Sequence, residues 1–180
     1  MTNQEFKEEL DRLLKPHGFK KKGNKWTAET EELEKVIYLQ KSDYSNRYYL
    51  NYGYNFKDLD YKEVSMHIWN RLGSKKRKER KLIFDTLDLT NSMDKTVRNR
   101  NTEYFVNDLL LPVINSINTK TDIVKHLESR SHLNNVFLPV KKHLNLENAE
   151  NTNYNTTYKQ YGLRALCKGL CNFMKSAKSF

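Results

Sequence analysis

The sequence predicts an α+β fold: an N-terminal helix, a mainly antiparallel sheet of about four strands, and C-terminal helices that cover it. Three observations carry this. Apolar residues recur at helical spacing over residues 6–14, alternate or run continuously in short segments between residues 20 and 56, and return to helical spacing after Thr102. At 180 residues the chain has the length of one domain with a sizeable core. It divides into helix plus sheet over 1–90, a helical half over 91–146, a loop over 147–157 and an amphipathic helix over 158–180.

Thr2 or Asn3 caps the first helix, in which Phe6, Leu10, Leu13 and Leu14 share one face, and Pro16 and Gly18 end it. The segments KKKGNKWTAE, EKVIYLQKS and NRYYLNYGYNF then read as an antiparallel meander. In GFKKKGNKW, Phe19 and Trp26 anchor in the core and Gly23-Asn24 supply a turn. The three lysines between them form a solvated edge that discourages strand-to-strand association. Along the third segment Tyr48, Leu50, Tyr52 and Tyr54 fall on one face, and Tyr49, Asn51 and Gly53 on the other. Such a tyrosine stripe is open to two readings, half-buried sheet packing or a platform for stacking bases.

Residues 60–73, DYKEVSMHIWNRLG, read as a short helix or an irregular segment, with Val64, Ile68 and Leu72 at helical spacing and Gly73 as a stop. SKKRKERK follows, then LIFDTLDL, whose apolar run reads as the fourth strand. YFVNDLLLPVINSI is helical by spacing, with Pro112 as a kink or as part of a later first turn. Thr121 or Asp122 opens another helix, and SHLNNVFLPVKKHLNL is an apolar stretch broken at Pro139. ENAENTNYNTT is a polar loop. The closing segment sets Leu163, Leu166, Leu170, Phe173 and Met174 against Arg164, Lys168, Lys175 and Lys178, as in a helix that closes its own domain.

Charge narrows the partners more than the chemistry. Basic residues number 32 against 22 acidic ones, a net charge of +10. The eleven tyrosines, eight phenylalanines and two tryptophans argue against disorder, because each ring buries a large area against the entropy of folding. Such a surface favours an acidic protein partner or nucleic acid, although a solubility bias gives the same balance. No run approaches the roughly 20 apolar residues of a membrane span, so a membrane partner fits least. The start, MTNQEFKEEL, is acidic and amphipathic without an apolar signal core, and predicts a cytoplasmic location.

No familiar reaction motif is present. The five histidines are scattered, and no nucleophile elbow, phosphate loop or dinucleotide fingerprint occurs. Cys167 and Cys171, four apart, read as small buried hydrophobes, and neither a metal nor a cofactor is expected. Glu79, Asp85 and Asp88 near a strand end either hold a cation or form turns.

Certain segments resemble a known family. LLKPHGFKKKGNKW, VIYLQKSDYSNRYYLNYGY, MHIWNRLG and LIFDTLDL, taken in order, resemble the bacterial family catalogued as domain of unknown function 4304. Gly18, Phe19, Lys21, Trp26, Gln40, Ser42, Asn51, His67 and Arg71 carry the likeness, which spans roughly residues 4–128. The family has no assigned activity, so the resemblance implies a fold rather than a reaction.

The expected function is therefore a non-enzymatic bacterial binding protein, such as an immunity-type inhibitor of a toxin. The alternatives are a nucleic-acid-associated protein and an enzyme with a pocket near His67 and Arg71. Gln40 and Asn51 on adjacent strands either cross-bond and fix register or face a ligand. His67 and Arg71, four apart, point the same way on a helix, and there form either an anion site or a polar lock. The basic-surface candidates are Lys20, Lys21 and Lys22, then Lys75, Lys76, Arg77, Lys78, Arg80 and Lys81.

Overall fold

Thr2 starts the first helix, α1 (Asn3–Leu14), with a capping box: its hydroxyl accepts from the Glu5 N–H while the Glu5 carboxylate accepts from the Thr2 N–H. Phe6, Leu10, Leu13 and Leu14 are buried along one face, as their spacing requires. A single 3₁₀ turn over Lys15–His17 follows, and Gly18 ends it with φ 82°, a conformation that costs glycine little. The structure is a computed structural model that describes residues 1–130 and 132–146. The predicted loop 147–157 and helix 158–180, with Cys167 and Cys171, lie outside the described residues.

The sheet has five strands rather than four, all antiparallel and in sequence order. They are β1 (Lys20–Lys22), β2 (Lys25–Glu29), β3 (Leu33–Lys41), β4 (Tyr48–Phe56) and β5 (Ile68–Arg71). Gly23, at φ 64°, takes the turn between β1 and β2.

Two sequence expectations change place. The segment 60–73, expected as a helix or an irregular stretch, carries β5. LIFDTLDL, expected as the fourth strand, lies largely in a helix, α2 (Arg77–Leu87). The physical reason is the same in both. Ile68 and Leu72 are both buried, and a separation of four keeps two residues on one face of a strand as well as of a helix. In α2 the buried residues are Ile83, Thr86 and Leu87, a helical stripe that the continuous apolar run conceals.

The helical half continues with α3 (Lys95–Tyr104), a π-helical stretch (Phe105–Leu110) and α4 (Leu111–Asn115), with Pro112 in the first turn of α4. Thr119, rather than Thr121 or Asp122, caps α5 (Lys120–Glu128) through a second capping box with Asp122. Pro139 sits in the first turn of α6 (Leu138–His143), so it starts a helix where a break was expected.

Helices gather on one side of the sheet. The Phe6 ring lies 6.2 Å from Tyr48, and Trp26 donates through Nε1 to Asp11 at 2.9 Å. Lys35 reaches Asn118 at 2.8 Å, and Arg130 donates to Asn70. The strand register places Trp26, Lys35, Tyr48 and Asn70 on one face, with Leu39, Leu50 and Tyr54. Burial there pushes the Lys35 ammonium below its ordinary range and the Tyr48, Tyr52 and Tyr54 hydroxyls above theirs. The predicted tyrosine stripe is thus core packing. No helix among the described residues is long and apolar enough to cross a membrane.

Candidate functional site: the open face of the sheet

The other face is where the unusual chemistry collects. Direct cross-strand pairing sets Lys22, Lys25, Tyr38, Asn51 and Arg71 in one row across all five strands. Gln40 and Tyr49 form the neighbouring pair on β3 and β4, and Trp69 lies two residues before Arg71 on β5. All eight share one face, because residues directly opposite, or two apart along a strand, point the same way.

Arg71 organises this patch. Its guanidinium carbon lies 4.2 Å from the Tyr49 ring centre and 5.4 Å from that of Trp69, within cation–π range of both. Its Nε donates to Asn51 Oδ1 at 3.1 Å, and Nη2 donates to Gln40 Oε1 at 3.3 Å. Asn51 Nδ2 donates to that same Gln40 oxygen at 2.9 Å. The expected cross-bond between Gln40 and Asn51 therefore exists, and Arg71 closes it into a triangle. Asn51 is 1% exposed, whereas Arg71 is exposed and Tyr38 and Trp69 each keep 37% of their surface in solvent.

His67 is not part of the patch. It lies just before β5, on a strand path where the sequence suggested a helix, and it is buried. Its Nδ1 accepts from the Phe56 N–H at 3.0 Å, which leaves Nε2 to carry the proton and donate to the Tyr61 carbonyl at 2.9 Å. The ring stacks on Phe56, with centres 5.8 Å apart. His67 thus ties the end of β4 to the β4–β5 connection. A concavity of about 600 Å³ opens beside it, lined in part by Asn55, Asp58, Tyr61 and Lys62. Asp58 there is engaged by Lys120 and lies 3.2 Å from His143; the Lys120 hydrogen bond is the larger cause of its lowered pKa.

The two basic runs sit at opposite edges. Lys20, Lys21 and Lys22 are β1, an edge strand, and all three are exposed. Alternation sends Lys20 and Lys22 toward the open face, while Lys21 lies over the Trp26 ring at 5.7 Å. The second run follows β5, the other edge strand. Lys76 and Lys81 pair with Glu79 and Asp85 at 3.0 and 2.5 Å, while Lys75, before α2, and Arg77, Lys78 and Arg80, in its first turns, are exposed. Glu79, Asp85 and Asp88 are each engaged by other neighbours, Glu79 by Lys76 and Ser74, Asp85 by Lys81 and Asp88 by Arg47 and Thr90, and no cluster of such acids forms among the described residues.

Tyr38, Tyr49 and Trp69 escaped the sequence reading as site residues. The alternation Val36-Tyr38-Gln40 against Ile37-Leu39 held the signal for Tyr38. Trp69 was concealed by the helical reading of its segment.

The family model described as Domain of unknown function (DUF4304) matches residues 10–116, from within α1 through the whole sheet to the end of α4. No curated protein and no solved structure matches the chain. The family match takes in more than half of the sequence and every residue of the open patch, and the chain belongs to the DUF4304 family.

Proposed function

We propose that this chain is a non-catalytic binding protein that takes an anionic partner on the open face of its sheet. The observation that carries the reading is Arg71, exposed and held between the Tyr49 and Trp69 rings on a face where Tyr38 and Trp69 also reach solvent. A sheet buried on one side ordinarily turns a polar, aliphatic-poor face to water. Here that face instead offers partly exposed rings around a fixed guanidinium, the residue types over-represented where proteins bind. The net charge of +10 sets the sign of the partner. An immunity-type inhibitor that covers an acidic face of a toxin is one form of this function, and cells expressing such a toxin would be rescued by the chain.

Trp69 makes the reading testable without a label. The chain has two tryptophans, and Trp26 is fully buried. Titration with soluble polyanions, poly-glutamate and oligonucleotides among them, should shift the emission of the wild type. Trp69→Phe should abolish that shift, and Arg71→Gln should weaken binding. Binding that leaves the emission unmoved and survives Arg71→Gln would place the partner elsewhere on the molecule.

A further inference from the structure

We infer that the anionic partner of the open sheet face is single-stranded nucleic acid, an inference that rests on the reading of that face as a binding surface. Three kinds of group lie side by side there, and a single strand uses all three.

The first is a set of rings. Tyr38, Tyr49 and Trp69 occupy β3, β4 and β5, with the Arg71 guanidinium layered between the last two. Every base has a π-face, so bases stack on such rings and on arginine planes whatever their sequence. The second is a pair of amides. The Gln40 oxygen is occupied by two donors, and among the described residues its Nε2 has no partner. An unpaired base edge offers acceptors for such a donor. The third is a set of flexible cations. Lys22 and Lys25 continue the row of Tyr38, Asn51 and Arg71 to the far edge, and Lys20 lies beside them on β1. At about 4.8 Å between strands, five strands set Lys22 roughly 19 Å from Arg71, room for several nucleotides laid across the strands.

Charge selects among the possible occupants. A second copy of the chain would set this basic face against itself. Residues 147–180 carry Lys159, Arg164, Lys168, Lys175 and Lys178 against Glu147 and Glu150, so that segment also has the wrong sign. The acids on the open face are Glu29 and Glu34, and Lys25 of the row lies 3.8 Å from the Glu34 carboxylate. Lys57 holds Glu29 at 2.9 Å, and Asn55 donates to Glu34 at 2.8 Å. An acidic protein would satisfy the lysines and Arg71, but its carboxylates have no use for the exposed rings of Tyr38 and Trp69.

The test is fluorescence anisotropy of labelled oligothymidine and oligouridine of about fifteen nucleotides, the upper range of one single-strand site. Unlabelled duplex of equal length and poly-glutamate serve as competitors. Single strands should bind and the duplex should compete poorly; a preference for one labelled strand identifies DNA or RNA. Tyr38→Ala and Trp69→Ala should each weaken binding about tenfold, the scale of one lost base stack. Where an alanine variant loses its circular dichroism signal, Tyr38→Leu and Trp69→Leu keep the apolar bulk without the aromatic face. Replacing Lys20, Lys22 and Lys25 by glutamine should lower the log–log salt slope by about 2, at roughly 0.7 per phosphate contact. Poly-glutamate or duplex competing as well as the single strand, or affinity that ignores the loss of both rings, would overturn the inference. In that event an Arg71→Gln effect on poly-glutamate binding would leave the broader binding reading standing. Absence of binding to every polyanion at low salt would end both.

Discussion

Asn51 holds Arg71 in place: its side-chain oxygen accepts from the Arg71 Nε at 3.1 Å while its nitrogen donates to Gln40 at 2.9 Å. The residue is buried on β4, so its amide is satisfied by these two neighbours rather than by water. Asn51→Ala removes both bonds and leaves the Gln40 and Arg71 groups to find solvent. A loss of about 1–2 kcal/mol is expected, the scale of one or two hydrogen bonds near a charged group. Urea unfolding measures it. Unchanged stability together with unchanged Trp69 emission would mean that the triangle positions nothing.

Gly53 should be intolerant of any side chain. A Cβ built there would lie 1.9 Å from the Ile68 carbonyl oxygen and 2.9 Å from the Met66 sulfur. The first neighbour is backbone of β5 and cannot swing aside. Gly53→Ala should therefore cost about 3 kcal/mol and loosen β5, the strand that carries Trp69 and Arg71. Gly73 is the control, since a Cβ there meets nothing within 4 Å. Gly73→Ala should stay within about 0.5 kcal/mol of wild type. Equal thermal midpoints for the two variants would refute the steric argument.

How far the patch was legible depends on the length of each element. Strands β3 and β4 run nine residues each, long enough for alternation to separate Ile37 and Leu39 from Tyr38 and Gln40. The turn at Gly23-Asn24, with buried Phe19 and Trp26 on either side, was legible because glycine and large apolar residues mark such places unambiguously. Strand β5 is four residues long, and Ile68 with Leu72 satisfies both periods. Its identity is decided by pairing with β4, a contact no local pattern contains. His67 and Arg71 were paired in the sequence by a helix that does not form. On the strand path, at about 3.3 Å per residue, four positions carry them roughly 13 Å apart, one to the end of β4 and the other into the open patch.

Asp88 links acid stability to the β3–β4 connection. The Thr90 hydroxyl bond is the largest cause of its depressed pKa, about 2, and the Arg47 guanidinium at 2.5 Å adds to it against burial. A carboxyl whose folded pKa lies below its unfolded value stabilises the fold above that unfolded value. The contribution is lost as pH falls from about 4, the ordinary carboxyl range, toward the folded value. Asp88→Asn keeps the shape but has no charge to lose. Its stability should fall less steeply than that of the wild type between about pH 4 and pH 2, and parallel profiles would count against the assignment.

Trp26 supplies a last test, on the helix side of the sheet. Its indole is fully buried, and Nε1 donates to Asp11 of α1 at 2.9 Å, so one bond fixes helix against strand. Removing the acceptor leaves a buried N–H without a partner, which costs about 1–3 kcal/mol. For a domain of this size the thermal midpoint of Asp11→Ala should drop by roughly 2–10 °C. Asp11→Asn retains a carbonyl oxygen at the same reach and should recover most of the loss, which a purely charge-based role for Asp11 would not permit. In a Trp69→Phe background Trp26 is the remaining tryptophan. Its emission should then move to the red in the alanine variant and hold in the asparagine variant, so the anchor between α1 and β2 can be read apart from the open face.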